Sequence, residues 1–421
     1  MEIFKIIIAA LGVVAVVYFL IKKYDTKLVL FTAGLGMATI SLQPMKALDA
    51  FAKSMTTGSL IQAICSVLGF AAVLKLTGCD KHLVALFGGI LKRAGLFLVP
   101  AAILLTFTTN VALPTAAGCA AAVGTIFIPL LINSGVRPAM AAAAVFAGTY
   151  GSMLNPGLSH NAFVAKIANV EAMDIINVHM FATIASIVVA AVVIGIIAII
   201  KKEHKGYVSD DKDIAVEAGF KVNPIYALVN VVPLFILIVG FAGWIPVLKM
   251  DIPQAMLIGA VLAIIVTRKS PSEVCKNFFN GMGGGYADIL GIIICASVFV
   301  AGLDALGAVQ SFINVLTTHP SWASIGGTAG PFLLAVITGS GDAAAFAFNE
   351  AVTPSAELFN TTVEKLGALA SVAGAIGRTM SPLAGAVIVC AGFAKVSTLE
   401  VAKRTAPGMI LAVITLYIIL G

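Results

Sequence analysis

Twelve apolar runs fill most of this 421-residue chain, and four of them are broken from within. The eight uninterrupted runs read as helices over about 3–21, 28–44, 58–79, 177–200, 223–245, 252–267, 284–304 and 406–420. A helix needs roughly 20 apolar residues to cross the hydrocarbon of a bilayer, so these runs read as membrane helices. Two of the broken regions read as hairpins: 95–134, interrupted at "TFTTNVALPTAAG", and 322–358, interrupted at "TGSGDAA". The other two read as interrupted helices: 137–169, with "GSMLNPGLSHN", and 360–394, with "GRTMSPLAGA". Non-helical backbone at membrane depth is tolerated only where it is buried in protein or lines a water-filled cavity. The fold class is therefore an all-α polytopic membrane protein whose breaks converge on something polar.

Composition agrees. Hydrophobic residues make up 60% of the chain and charged residues 11%, against about 25% charged in soluble domains. The net charge of +6 is scattered through short loops, which argues against a nucleic-acid partner and for a role in membrane orientation. The six cysteines form no C-x-x-C pair and read as small core residues. The five histidines show no H-x-x-x-H, so no metal site or cofactor is expected. The apolar N-terminus ends at Lys22-Lys23 without a small-x-small cleavage site and reads as a retained first helix.

The order of segments is the same in both halves: two helices, an amphipathic segment, a third helix, an amphipathic segment, a hairpin, a broken helix and a final helix. An offset of 229 places "KLTG" at 75–78 on "DALG" at 304–307 and Thr109 on Thr338. In the broken helices "GSMLNP" at 151–156 falls on "GRTMSP" at 377–382. The chain divides into a first repeat, 1–200, a polar cytoplasmic linker, 201–222, and a second repeat, 223–421. With hairpins that do not cross and broken helices that do, Lys5, Lys46, Lys53, Lys166, Lys249 and Lys365 fall on one side. Lys75 and Arg378 stay in the membrane, and the other 18 of the 26 cations face the opposite side, which is then cytoplasmic. This gives inverted repeats, ten crossings plus two re-entrant hairpins, and both termini in the periplasm.

Matching breaks in inverted repeats point to a substrate site near the midplane. The hairpin tips offer helix N-termini, which favour anions. Candidate contacts are Thr108, Thr109 and Asn110 in the first tip and Thr338, Gly339, Ser340 and Gly341 in the second. Ser152 and Asn155 come from the first broken helix, and Arg378, Thr379 and Ser381 from the second. Each Thr or Ser hydroxyl has a competing local use, a bond to its own helix. Pro114 suits the first turn of the returning helix. Arg378 costs at least about 2.5 kcal/mol at a helix centre, and its fork matches a carboxylate in bidentate fashion. A structural ion pair with Asp342 or Glu350 would also explain it. Asp342 is the candidate for a coupling sodium or proton, with Asn110 beside it; it could equally cap the second hairpin helix. Lys75 and Asp304 read as snorkelling residues near helix ends, and His160 and Asn161 as further possible substrate contacts.

Gly339 to Asp342 also match the G-x-G-D pattern of intramembrane aspartyl proteases, which use two carboxylates. The Tyr-Asp pair such an enzyme needs occurs only as Tyr24-Asp25, in a basic loop. A passive channel would require a continuously lined pore.

At "TGSGDAAAFAF" and "GAIGRTMSPLAGAVIVCAGFAKVSTLEVAKRTAP" the chain resembles the C4-dicarboxylate uptake C family of bacterial anaerobic transporters, within a wider ion-transporter superfamily. The second stretch carries the more specific pattern: G-R-T-x-S-P, then A-G-x-A-K-x-S, E-V and K-R-T. Where the family often has Asn-Ala-Pro, this chain has Asp342-Ala343-Ala344. The resemblance implies a homodimeric inner-membrane carrier that takes up or exchanges succinate, fumarate or malate by an elevator motion. It further implies a scaffold of 1–79 and 223–304, arms at 80–94 and 306–321, and transport parts at 95–200 and 322–421. The rival within transport is a carrier of another organic acid or of an acidic amino acid.

Overall fold

A computed structural model describes residues 2–91, 93–208 and 221–421. Much of the expected linker, 209–220, lies outside the described residues, as does Lys92 of the charge count. Every regular element described is helical. The first half runs α1 (Glu2–Ile21), α2 (Thr26–Ile40), α3 (Pro44–Met55), α4 (Gly58–Thr77), α5 (Cys79–Leu91), α6 (Leu98–Ala112), α7 (Ala116–Asn133), α8 (Pro138–Ala147), α9 (Ser159–Ala168) and α10 (Ala172–Ile200). The second runs α11 (Pro224–Val229), α12 (Val232–Phe241), α13 (Ile252–Thr267), α14 (Pro271–Gly285), α15 (Gly291–Ala305), α16 (Ala308–Thr318), α17 (Ser321–Thr338), α18 (Gly341–Ala351), α19 (Val363–Arg378), α20 (Gly385–Ala394) and α21 (Thr398–Leu420). With α11 and α12 taken together, the described residues of the two halves lay down the same ten α-helical elements in the same order.

The elements depart from the sequence expectation where local chemistry intervenes. The run 223–245 is two helices, because Pro233 enters the first turn of α12 and a proline cannot donate back into a preceding turn. At that joint Asn230 spans the gap, its Nδ2 donating to the carbonyls of Cys79 (2.9 Å) and Ala227 (3.0 Å). Helix α10 begins five residues earlier than expected, at Ala172, because Glu171 and Asp174 form a reciprocal capping box. The amphipathic stretch before 284 is not separate from the crossing that follows. It forms one 35-residue helix, Pro271–Ala305, with a π turn over Tyr286–Leu290. At 1.5 Å per residue it is about 52 Å long, so it tilts or projects beyond a hydrocarbon core of about 30 Å. Asp304 is not left to snorkel alone: it pairs with Lys46 at 2.6 Å.

The halves interlock. Helix α4 packs on α13 and α14 of the second half, and α15 packs on α2 and α3 of the first, so the same pairing occurs twice with the halves exchanged. Glycine makes these crossings close, as small residues do between membrane helices. A Cβ on Gly34 would meet Val298 O and sit 2.6 Å from Phe299 Cα. One on Gly281 would sit 2.6 Å from Leu68 O.

At the centre stand α8 and α19. Every residue from Ala139 to Ala147 is buried, as is every residue from Leu366 to Gly377. Helices apolar on all sides belong in the middle of a membrane protein. Each is pressed onto the hairpin of its own half by glycines that correspond across the repeat. A Cβ on Gly148 would lie 2.6 Å from Ile103 O, and one on Gly151 would collide with Phe107 O. One on Gly374 would lie 3.0 Å from Gly341 O, and one on Gly377 would collide with Phe332 O.

Where α10 ends and α21 begins, Glu203 and Arg404 form a two-pronged pair, Arg404 Nε to Oε2 at 2.8 Å and Nη2 to Oε1 at 2.6 Å. The Glu203 carbonyl also accepts from the backbone N–H of Arg137 (3.0 Å) at the start of α8. Both side chains are mostly buried. Glu203→Ala, which strands the guanidinium, should cost about 3–5 kcal/mol, read as a lower melting temperature of the detergent-purified protein. On α2, Gly34→Ala should destabilise by about 1–3 kcal/mol through overpacking. Gly36→Ala, two residues on and with nothing within 4 Å of the new carbon, should be neutral or slightly stabilising in the same assay.

Candidate functional site

In the first hairpin α6 stops at Ala112, Leu113 is extended, and Thr115 caps α7 by accepting from Gly118 N–H at 3.1 Å. Pro114 therefore lies before the cap and not in the first turn of α7, contrary to the sequence expectation; the hydroxyl of Thr115 takes the capping position. Thr108 and Thr109 lie in the last turn of α6 and donate to Leu104 O (2.9 Å) and Leu105 O (2.7 Å). Asn110 is buried and works harder: its Nδ2 donates to Leu113 O at 2.8 Å, and its Oδ1 accepts from Ser152 N–H at 2.9 Å.

That second bond joins the hairpin to the first broken helix. After α8 the chain makes one 3₁₀ turn, Gly151–Leu154, and extends at Asn155 before α9 begins. The exposed backbone groups of this break are met by asparagines. Asn155 Nδ2 donates to Val111 O (2.8 Å), and its Oδ1 accepts from Gly157 N–H (2.8 Å). Asn161 donates to the carbonyls of Met153 (2.8 Å) and Asn155 (2.9 Å). Its Oδ1 accepts from His179 Nε2 at 3.2 Å, which leaves His179 Nδ1 to accept from Thr183 at 2.9 Å. Asn161 thus supports the break from behind.

In the second hairpin α17 ends at Thr338, and Gly339 takes the left-handed conformation, φ +79°. A side chain there would also strike the opposite break, its Cβ 2.7 Å from the carbonyl carbon of Leu383. Glycine is required on both counts. Ser340 is the N-cap of α18, its Oγ accepting from Ala343 N–H at 3.4 Å, and its own N–H donates to Thr338 Oγ1 at 3.2 Å. Gly341 lets α18 lie against α19, since a Cβ there would be 2.7 Å from Gly374 O. The helix is pinned further along by Asn349, which donates to Ser371 Oγ at 2.9 Å and accepts from Thr353 at 2.9 Å.

In the second broken helix Thr379 and Ser381 are buried. Thr379 Oγ1 is bonded to Ile376 O (2.6 Å) and Met409 Sδ (2.9 Å), turned toward α21. Ser381 Oγ accepts from Leu383 N–H at 3.2 Å and holds the break open. Arg378, half-buried, sends Nη2 across to the carbonyl of Thr149 at 2.8 Å, just where α8 unwinds. One break thus supplies the donor and the other the acceptor.

Asp342 does not cap α18, because Ser340 does. Nor does its carboxylate pair with Arg378. Its Oδ1 lies 3.0 Å from His160 Nε2, whose ring is stacked on Phe346 with centroids 4.6 Å apart. Arg378 remains within electrostatic reach of Asp342. His160 is the site candidate that sequence reasoning placed least well. It was visible as an imidazole at the edge of a break, but its partner lies 182 positions away.

All four interruptions thus meet. The first tip is bonded to the first break, the second tip rests on the second break, and Arg378 joins break to break. Arg378 carries five N–H donors, and the tips and breaks hold the N-termini of α7, α9, α18 and α20; both kinds of group favour an anion. Two carboxylates sharing a proton, as an aspartyl protease needs, are not formed at Asp342, which faces an imidazole.

Known proteins agree with a transport fold. The sequence profile of the C4-dicarboxylate anaerobic carrier family, DcuC, matches residues 4–420. An uncharacterised transporter of Haemophilus influenzae is 47% identical over 274 residues, 63% of this chain and 98% of that protein. The anaerobic C4-dicarboxylate transporter DcuC of Escherichia coli K12 is 26% identical over 438 residues, 95% of this chain and 93% of that one. The crystal structure of the Alcanivorax borkumensis YdaH transporter shares the fold, with a TM-score of 0.59 at 14% identity over 89% of this chain and 86% of that one. The chain belongs to the C4-dicarboxylate anaerobic carrier (DcuC) family and is a multi-pass membrane transporter, not an enzyme.

Proposed function

We propose that this protein carries C4-dicarboxylates such as succinate, fumarate and malate across the bacterial inner membrane, by cation- or proton-coupled transport or by exchange. The observation that carries the reading is the Arg378–Thr149 bond at 2.8 Å, which sets a guanidinium where two unwound segments meet. One substrate carboxylate takes the fork of Arg378 and the backbone of the 378–382 break around Thr379 and Ser381. The other meets the tips at Thr108, Thr109, Asn110 and Thr338, Gly339, Ser340, Gly341, beside Ser152 and Asn155. A sodium ion or proton offsets the charge, with Asp342 and Asn110 as the candidate residues for the coupling ion or proton.

Transport follows an elevator motion of 95–200 and 322–421 against a dimeric scaffold of 1–79 and 223–304, through arms at 80–94 and 306–321. Support comes from the first tip: Ala112, Pro114 and Asn155 face Val67, Asn230 and Met256 of the scaffold across a small cavity. The two halves are inverted repeats with ten crossings and two hairpins, and both termini are periplasmic. The lysine and arginine count argues for this, as does the meeting of Arg137, Glu203 and Arg404 at one end of the bundle.

Arg378→Lys keeps the charge and loses the fork. Succinate uptake in proteoliposomes should fall at least about tenfold, the value of one lost charge-assisted bond, with the protein still in the membrane. Uptake at the wild-type rate would remove Arg378 from the site. Labelled succinate should be displaced by fumarate and malate in preference to monocarboxylates, citrate or glutamate. Preferential displacement by an acidic amino acid or a tricarboxylate would transfer the site to that substrate class.

A further inference from the structure

We propose that His160 and Asp342 together form the proton-carrying pair of the transport cycle, so that the coupling ion is a proton and not sodium. The inference rests on the dicarboxylate reading and adds to it a residue and the identity of the ion.

His160 is 4% exposed, and its two nitrogens are treated differently. Nε2 lies 3.0 Å from Asp342 Oδ1, while Nδ1 is buried with no hydrogen-bond partner. A buried nitrogen without a partner is costly, so it marks a place where the structure serves something besides stability. The ring is fixed by its stack on Phe346, so it does not turn to relieve Nδ1. Asp342, by contrast, is about a third exposed, 36% for the side chain. A proton from water can reach the carboxylate directly.

The chemistry of the contact discriminates between ions. Sodium would need several oxygen lone pairs around it, as hard cations do. Here an imidazole nitrogen holds the carboxylate, and its donated Nε2–H occupies the Asp342 oxygen that a sodium ion would use. The pair in this form holds one proton. A second adds at the exposed oxygen of Asp342, and the pair becomes neutral, a carboxylic acid that still accepts from the Nε2–H of His160.

Charge balance supplies the reason to take it up. The ionisable groups facing the pair are few. Arg378 of α19 is the nearby cation, with Cys119 of α7 beyond it. From α10, His179 is bonded to Asn161 and Thr183 and not to the pair. Cys65 of α4 and Cys295 of α15 share the apolar cluster with Phe346. Of the charged residues on the pair's own helices, Lys166 and Glu350 stand about two turns away. A dianion entering beside one guanidinium and one carboxylate leaves the site strongly negative, and a proton on the pair lowers that charge by one. Substrate and proton binding are therefore linked, and each favours the other.

The test measures protons taken up as succinate is added to the purified full-length protein, in weakly buffered, sodium-free choline chloride near neutral pH. Succinate binding is followed in parallel by calorimetry. Wild type should take up a substantial fraction of one proton per succinate, approaching one where the pair starts in its one-proton form. His160→Gln and Asp342→Asn should lose that uptake while calorimetry still records succinate. Either variant with wild-type proton uptake overturns the assignment of that pair, while succinate binding by the wild type upholds the dicarboxylate reading. Binding by the wild type without proton uptake, or only after sodium is added, also overturns the pair and needs no variant to fold. If wild type binds no succinate at all, the dicarboxylate reading fails, and the pair as stated fails with it.

Discussion

Helix ends buried in a membrane must find partners inside the protein. The carbonyl of Thr149, freed where α8 unwinds, finds the guanidinium of Arg378 from the other half of the chain. That one bond settles two problems together. It satisfies an unwound backbone at membrane depth and gives a buried cation a polar contact, while most of its donors remain for other use. The central helices α8 and α19 are buried on every side, so lipid does not repair their ends. The surrounding asparagines extend the same logic: Asn110, Asn155 and Asn161 each bond backbone groups of a break that no helix supplies with partners.

Glycine sets the distances. The pairs Gly148 and Gly151, and Gly374 and Gly377, bring each central helix against the backbone of its own hairpin. With no Cβ in the way, the tips and breaks lie close enough for short polar side chains to bridge them. The same residue type lets α2 meet α15 and α4 meet α14.

Much of this was legible in the sequence. The four interruptions stood out because glycine, proline, serine and asparagine are conspicuous in apolar runs, and the breaks lie where those residues cluster. Arg378 stood out because a cation there is costly. The repeat order was visible as well, since each half spells the same succession of segments. What escaped was long-range pairing. Nothing local links Asp342 to His160 or Arg378 to Thr149. Local capping misled in two places: Thr115 displaced Pro114, and Ser340 displaced Asp342. The glycine-rich stretch "NGMGGGYADIL" looked like the edge of a helix. It lies inside a long one, and Gly281 within it lets α4 pack close.

The central claim is that the tips and breaks form one substrate chamber that water reaches. Ser340→Cys, in a background with the exposed Cys275 replaced by serine, places a thiol at the second tip. Its labelling by a membrane-impermeant maleimide in oriented vesicles, with and without succinate, is the most direct measurement. The account predicts labelling that succinate slows. A thiol unreactive from both faces, or labelled at the same rate with succinate present, would contradict it.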